Sequence, residues 1–225
     1  MGTVQGLESL LKYLPYIFEG SLWSLGLVGA GLGIGFIIGI LLSLCQVYGG
    51  GLVRWIAEFY SWFFRGTPLL VQLFLFHWSI FPALGISTTP LETSMLVLGM
   101  RSGAYQSQIY RGAIESIEEG QMLAARAIGM SKWQSAFHII LPQALRKAIP
   151  QLSNEYSIIL KDSAICFILG VMEIMTRTRY ATIATGIAFI PYLIAGGLYI
   201  VLTYAGAKAF DLVYSRVRMR GLVAG

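Results

Sequence analysis

Three long intervals of this sequence contain no Asp, Glu, Lys or Arg: residues 20–53, 66–91 and 180–207. A helix needs about 20 mostly apolar residues to cross the hydrocarbon core of a bilayer, and each interval is long enough to do so. Only 12% of the 225 residues are charged, against about 25% in an ordinary soluble domain. The sequence therefore predicts an integral membrane protein and excludes a water-soluble globule.

Two further segments are long enough to cross but carry charge. The segment 91–110 contains Arg101, and the segment 149–172 contains Glu155, Lys161 and Asp162. We predict that both cross the membrane with their polar groups facing protein or water. The expected fold is an all-α bundle of five transmembrane helices in a single domain over residues 1–225, with spans at 21–47, 58–81, 91–110, 149–172 and 185–205.

The start of the chain, residues 7–18, is apolar but short and carries Glu8, Lys12 and Pro15. We expect it to lie in the membrane interface instead of crossing the bilayer.

The distribution of Lys and Arg predicts the orientation. Most of those outside the spans fall in the loop 111–148 and in the C-terminal tail, and basic loops are retained on the cytoplasmic side. We therefore expect the N-terminus outside and the C-terminus in the cytoplasm. The tail residues used in this assignment are Lys208, Arg216, Arg218 and Arg220. This asymmetry and contact with anionic lipid explain the net charge of +5, so no nucleic-acid partner is predicted.

The first span contains Gly31, Gly35 and Gly39, which repeat every four residues and so lie on one helix face. Small residues at this spacing let helices approach closely in lipid. They predict a packing seam, either within the chain or between subunits.

The loop 111–148 is much longer than the other connections. A helical pattern begins at Glu118 and ends at Gly129, and a second begins after a potential N-cap at Ser131. Pro142 predicts a further break. On pattern alone, the two short helices could dock into a groove on another protein or lie on lipid as a hairpin.

Four blocks of this sequence resemble a known family. The loop contains Leu123-Ala124-Ala125, Gly129 and Ile139-Ile140-Leu141-Pro142, which resemble the E-A-A signature of membrane subunits of ATP-binding-cassette (ABC) importers, with Leu123 in place of the Glu. The other blocks are FRGTPLLVQLF at 64–74, GAYQSQIYRG at 103–112 and LPQALRKAIPQLSNEYSIILKDSA at 141–164. They are similar to segments of the polar amino acid permease branch.

The resemblance implies a type I ABC importer permease with five spans, which dimerises around a central pathway, with an identical copy as the expected partner. It also implies an extracytoplasmic amino-acid-binding protein and a separate ATPase pair. The sequence has no GxxxxGK[ST] motif, in agreement with a non-catalytic subunit that binds no nucleotide phosphate itself. The loop 111–148 would be the coupling loop, and the expected ATPase-coupling residues are Gly120, Gln121, Ala124, Ala125, Gly129 and Met130.

The polar residues of spans three and four are the candidate substrate-binding group. An ionisable side chain at bilayer depth costs on the order of 3 kcal/mol, so it needs a partner or a function. Such a polar face suits a pathway or an ion-pair network that fixes packing, and the resemblance favours the pathway. The predicted substrate-binding residues are Arg101, Gln108, Asn154, Glu155, Lys161 and Asp162.

Arg101 has two possible partners in this interpretation. Its planar guanidinium matches the geometry of a carboxylate. That carboxylate could belong to an amino acid substrate or to an internal residue, namely Glu58, Glu155 or Asp162.

No cofactor, metal site or catalytic residue is predicted. His77 and His138 do not cluster with each other or with carboxylates at ligand spacing. The alternative function is a stand-alone secondary transporter or channel, which would be expected to show an internal repeat or a pair of broken helices. Neither is evident in the sequence.

Overall fold

The computed structural model describes residues 2–217, and side chains are described from Leu10 onward. Arg218 and Arg220, which entered the orientation prediction, lie outside the described residues. The described part of the chain is an all-α fold. Its helices are α1 (Gly2–Tyr48), α2 (Gly51–Gly66), α3 (Leu69–Leu75), α4 (Phe81–Ala83), α5 (Pro90–Glu115), α6 (Glu119–Ala127), α7 (Lys132–Ser135), α8 (Leu141–Ser163), α9 (Ile174–Thr185) and α10 (Phe189–Val217).

Each predicted span is mostly helical in the structure, but the spans differ in character. The regions Leu10–Tyr48 and Phe189–Val217 are long and apolar enough to cross a membrane by length and composition. The helices α5 and α8 carry many polar side chains, several of them buried, such as Gln106 and Glu155. The number of crossings therefore remains a prediction.

The segment 7–18 is not a separate element. The helix α1 runs through it without interruption, with Pro15 inside the helix. A proline removes one backbone donor, but Leu10 and Ile17 on either side of Pro15 are buried in the fold. This packing holds the segment in line with the first span.

The predicted break at Pro142 is wrong. A π turn, Ala136–Ile140, joins α7 directly to α8, so the chain is helical from Lys132 to Ser163. The other π turn, Phe76–Ile80, precedes Pro82 in the same way. A π turn widens the helix locally, which accommodates the missing N–H and the ring of the proline that follows.

The second predicted span is broken instead of continuous. The helix α2 ends at Gly66, Thr67 is extended with φ −97° and ψ 136°, and α3 begins after Pro68. Pro68 has no N–H to donate to the carbonyl of Phe64, so the regular helix cannot continue through this position.

An additional short helix, α9, lies between the fourth and fifth predicted spans. The carboxylate of Glu173 caps it by accepting from the N–H groups of Met175 and Thr176. Arg177 of α9 forms an ion pair with Glu19 of α1, at 2.7 Å from Nη1 to Oε2. These contacts fix α9 against the N-terminal half of α1.

The glycine seam packs α1 against α5 within the chain, as one of the two predicted alternatives. Gly35 lies against Ser102 and Gln106 of α5, and Gly39 lies against Gln106. The facing glycines of α5 are Gly99, against Ile34, and Gly103, against Ile38. Each helix thus presents small residues to side chains of the other, which permits the close approach.

We expect Gly35→Ala to destabilise the protein, because a Cβ at this position would lie 2.6 Å from Gln106 Nε2 and 2.7 Å from Ser102 Oγ. Overpacking of this kind costs about 1 to 3 kcal/mol. The matched control is Gly33→Ala on the same helix, where a Cβ meets nothing within 4 Å. Thermal unfolding in detergent should show a lower midpoint for Gly35→Ala only. Equal midpoints for the two variants would contradict the seam.

Candidate functional site

The break between α2 and α3 exposes two backbone carbonyls that need donors. Gln72 Nε2 donates to the carbonyl of Phe64 at 2.7 Å and to that of Thr67 at 2.9 Å. Arg101 Nη1 donates to the same two carbonyls at 3.3 and 3.4 Å. Open carbonyls cost several kcal/mol each in a bilayer, so these side chains replace the donors that the break removes.

Arg101 also connects α5 to α8. Its Nε donates to Asp162 Oδ2 at 3.1 Å, so Asp162 is its internal carboxylate partner in this structure. Its guanidinium carbon lies 5.1 Å from the centre of the Tyr105 ring, and that of Arg65 lies 5.5 Å from the same ring. The side chains of Arg101 and Asp162 are 16% and 19% exposed, so the ion pair is only partly buried.

Glu155 belongs to a separate and closed network. Its side chain is buried, and its Oε1 accepts from Ser102 Oγ at 3.0 Å. Ser102 in turn accepts from Gln106 Nε2 at 2.8 Å, and Gln106 Oε1 accepts from the hydroxyl of Tyr110 at 2.6 Å. This chain of hydrogen bonds links α5 to α8 inside the bundle.

Gln108 lies apart from the Arg101–Asp162 pair. Its Nε2 donates to Gln46 Oε1 on α1 and to Ser107 Oγ, both at 3.2 Å. Gln46 in turn donates to Ser61 Oγ on α2 at 2.9 Å. Of the other predicted substrate-binding residues, Asn154 and Lys161 are exposed on α8. The structure thus brings only Arg101 and Asp162 into direct contact.

Gln72 is the residue of this site that the sequence interpretation missed. The signal was the combination of Pro68, which leaves a carbonyl open four residues earlier, with an amide in the first turn of the next helix. A glutamine in an apolar span needs a hydrogen-bond partner, and the open carbonyls supply it.

The loop 111–148 contains the two predicted short helices, α6 and α7. Between them Gly129 adopts φ +92°, and its N–H donates to the carbonyl of Arg126 at 3.0 Å. Ser131 is the N-cap of α7, as predicted, in a capping box with Gln134. The turn therefore depends on a backbone conformation that residues other than glycine rarely adopt.

The expected ATPase-coupling residues differ in exposure. Gly120, Ala124 and Gly129 are exposed, Gln121 and Met130 are partly buried, and Ala125 is buried. Ala125 packs against its own chain, and its expected part in coupling stays a prediction. The largest exposed apolar side chains of the loop's first half are Leu123, 68% exposed, and Ile128, 80% exposed.

Several contacts hold this loop on the helical bundle. Gln143 Nε2 of α8 donates to Gln121 Oε1 at 2.5 Å. Lys147 Nζ donates to the carbonyl of Ser116 at 3.0 Å, and Lys132 Nζ donates to that of Tyr48 at 3.1 Å. The loop is therefore tied to the ends of α1 and α5 as well as to α8.

Comparison with known families identifies the chain. The model of the family described as "Binding-protein-dependent transport system inner membrane component" matches residues 31–219. The chain belongs to this family. Membership implies a membrane location and, in general, a partner ATPase and a substrate-binding protein. It does not support the stand-alone transporter that the sequence left as the alternative.

Curated relatives match over most of the chain. The arginine transport system permease protein ArtQ of Bacillus subtilis is 36% identical over 195 residues, which cover 87% of this chain and 89% of ArtQ. GlnP of Rickettsia conorii, which is named provisionally as a glutamine transport system permease, is 37% identical over 198 residues, with coverage of 87% and 91%.

Solved structures share the fold. An amino acid ABC transporter crystallised with histidines has a TM-score of 0.82 and 30% identity, covering 93% of this chain and 97% of that one. The MetNI methionine ABC transporter in an inward-facing conformation has a TM-score of 0.78 at 19% identity, covering 92% and 98%. The second likeness is one of fold alone. The all-α type I ABC importer fold predicted from the sequence is therefore confirmed.

We expect Gly129→Ala to loosen the turn between α6 and α7, because a left-handed backbone costs a residue with a Cβ about 1 to 2 kcal/mol. A Cβ at Gly129 would meet nothing within 4 Å, so the effect would come from backbone strain alone. Hydrogen exchange of the amides of residues 119–135 should be faster than in the unmodified chain.

The control is Gly112→Ala, in the regular helix α5, where a Cβ also meets nothing within 4 Å. This variant should leave exchange in 119–135 unchanged. Unchanged exchange in Gly129→Ala as well would show that the turn does not need glycine.

Proposed function

We propose that the chain is the permease subunit of an ABC importer that moves a polar amino acid across the cytoplasmic membrane by alternating access. It acts with a second copy of itself, an ATPase pair and an extracytoplasmic amino-acid-binding protein. The observation that carries the proposal is the continuous helix from Lys132 to Ser163. It connects the exposed coupling loop to Asp162, which pairs with Arg101.

Movement of the second half of the loop can reach the site because one continuous helix joins them. The helix passes Pro142 through a π turn, and Gln143 ties its start to Gln121 of α6. A force on α6 would therefore shift α8 along its length, including Asp162. Alternating access requires two conformations that contact the substrate differently. A change in the position of α8 relative to α5 would provide this difference.

The substrate class follows from Arg101 and from the relatives. Its guanidinium is partly exposed and suits a carboxylate. The named relatives are permeases of arginine and glutamine systems, and the similar solved transporter was crystallised with histidines. These amino acids share the α-carboxylate and differ in the side chain. We propose that Arg101 binds this carboxylate and that Asp162 and the exposed Asn154 and Lys161 line the route.

Glu155 and Gln108 have less direct roles in this proposal. Glu155 is buried with Ser102, and Gln108 bonds to Gln46 of α1. We propose that both belong to the lining of the pathway when α5 and α8 move apart. The N-terminus is proposed to lie outside and the C-terminus in the cytoplasm, because this places the basic loop 111–148 inside.

ATP hydrolysis is assigned to the partner chain. The sequence lacks a phosphate-binding GxxxxGK[ST] loop. The exposed side chains of Leu123 and Ile128 are proposed to contact the ATPase together with Gly120, Ala124 and Gly129. Because Leu123 replaces an acidic residue of the signature, apolar contact would take the place of an ionic one.

The test of this function is uptake into vesicles. The chain is purified with the ATPase that copurifies with it, reconstituted, and supplied with the binding protein and labelled glutamine, arginine or histidine. We expect accumulation that requires ATP and fails with a non-hydrolysable analogue. Equal uptake by the chain alone, without ATPase or nucleotide, would overturn the proposal.

We expect Ile128→Asp to reduce ATP-dependent uptake at least about tenfold, which corresponds to about 1.4 kcal/mol of lost coupling. Ile128 is 80% exposed, so the substitution should not affect folding, while a carboxylate in an apolar groove is costly to desolvate. The control, Ile128→Leu, keeps the apolar surface and should retain uptake. Normal uptake by Ile128→Asp would exclude this contact.

A further inference from the structure

The carbonyls of Phe64 and Thr67 each receive donors from two side chains, Gln72 and Arg101. We propose that Gln72 is a positioning residue that holds the break between α2 and α3 while Arg101 leaves it to bind the carboxylate of the substrate. This inference rests on the proposed function, and it adds a residue that acts through Arg101.

The two donors differ in the lengths of their hydrogen bonds to these carbonyls. The bonds from Gln72 Nε2 measure 2.7 and 2.9 Å, while those from Arg101 Nη1 measure 3.3 and 3.4 Å. The preferred distance for an N–H donor and a carbonyl oxygen is about 2.9 to 3.0 Å. Gln72 is therefore the main donor at the break, and Arg101 can withdraw without leaving either carbonyl open.

The two donors also differ in burial. Gln72 is fully buried, and its Oε1 has no donor among the described residues. Buried polar atoms are normally hydrogen-bonded. The unpaired oxygen of Gln72 therefore indicates that its NH2 group is the part that matters here. Arg101 is partly exposed and can turn toward a solute.

The contacts of Arg101 show which of its edges is available. Its Nε holds Asp162 at 3.1 Å, whereas its Nη atoms make only long bonds, at 3.3 and 3.4 Å to the break and 3.5 Å to the hydroxyl of Tyr105. A carboxylate accepts from two guanidinium N–H groups side by side. The Nη atoms can take the substrate carboxylate while Nε keeps Asp162.

The test is Gln72→Met, which keeps the length of the side chain and removes the donor. Arg101 would then be the only side-chain donor to both carbonyls, and binding substrate would leave them open. We expect KM for ATP-dependent uptake to rise about tenfold, with kcat per assembled complex close to that of the unmodified protein.

The control for loss of a buried hydrogen bond is Thr178→Val. The hydroxyl of Thr178 donates to the carbonyl of Ile174 within α9 at 2.7 Å, away from Arg101. Both variants should lower the thermal midpoint of the complex, but only Gln72→Met should raise KM. A lower midpoint with unchanged KM in Gln72→Met would show a structural role alone and overturn the inference.

A double variant tests whether Gln72 acts through Arg101. In an Arg101→Ala background, Gln72→Met should change neither KM nor the shift in thermal midpoint produced by saturating amino acid. The same rise in KM in both backgrounds would mean that Gln72 acts independently. If Gln72→Met does not assemble, Gln72→Asn decides, since its shorter amide cannot reach both carbonyls and should also raise KM.

The two proposals fail in different ways. If the unmodified complex does not accumulate any amino acid with ATP, the proposed function is wrong. If it does so with unchanged KM in the Gln72 variants, only the role of Gln72 is wrong.

Discussion

The two open carbonyls at the break between α2 and α3 are the constraint on which the candidate site depends. Pro68 leaves the carbonyl of Phe64 open because it has no N–H, and the carbonyl of Thr67 lies at the same interruption of the helix. Gln72 and Arg101 supply the donors. Arg101 contacts the break and Asp162 of α8 together. Arg101 thus joins the helix break to α5 and α8.

The connection between this site and the exposed loop also involves a proline, Pro142. A π turn before Pro142 keeps the chain helical from Lys132 to Ser163. The second half of the loop and Asp162 therefore lie on one continuous helix. In the proposed mechanism, this helix carries movement from the surface that meets the ATPase to the proposed substrate site. Gln143 and Lys147 of α8 add hydrogen bonds to Gln121 and Ser116 of the loop.

Local features were predictable from the sequence, while features that depend on packing were not. The seam of Gly31, Gly35 and Gly39, the turn at Gly129 and the cap at Ser131 follow from residue type and spacing, and the structure contains all of them. The family resemblance supplied the fold, because it depends on blocks of sequence that recur in order.

The rest required three-dimensional contacts. Pro142 alone indicates a break, and only the π turn reverses that expectation. The burial of Ala125 depends on how α6 lies on the bundle. The choice of Asp162 over Glu155 as the partner of Arg101 depends on the rotation of α8 about its axis, which the sequence periodicity does not give. Pro68 gives a sequence signal for Gln72, but the two carbonyls to which Gln72 donates are identified only from the structure.

The most direct test of the role of Arg101 compares an amino acid with the amine that lacks its carboxylate. Binding of both to the purified complex is measured by calorimetry, in the unmodified protein and in Arg101→Ala. We predict that the unmodified protein binds the amino acid at least about tenfold more tightly than the amine, and that Arg101→Ala abolishes this preference. An equal preference for the carboxylate in both proteins would contradict the assignment of Arg101 to the substrate.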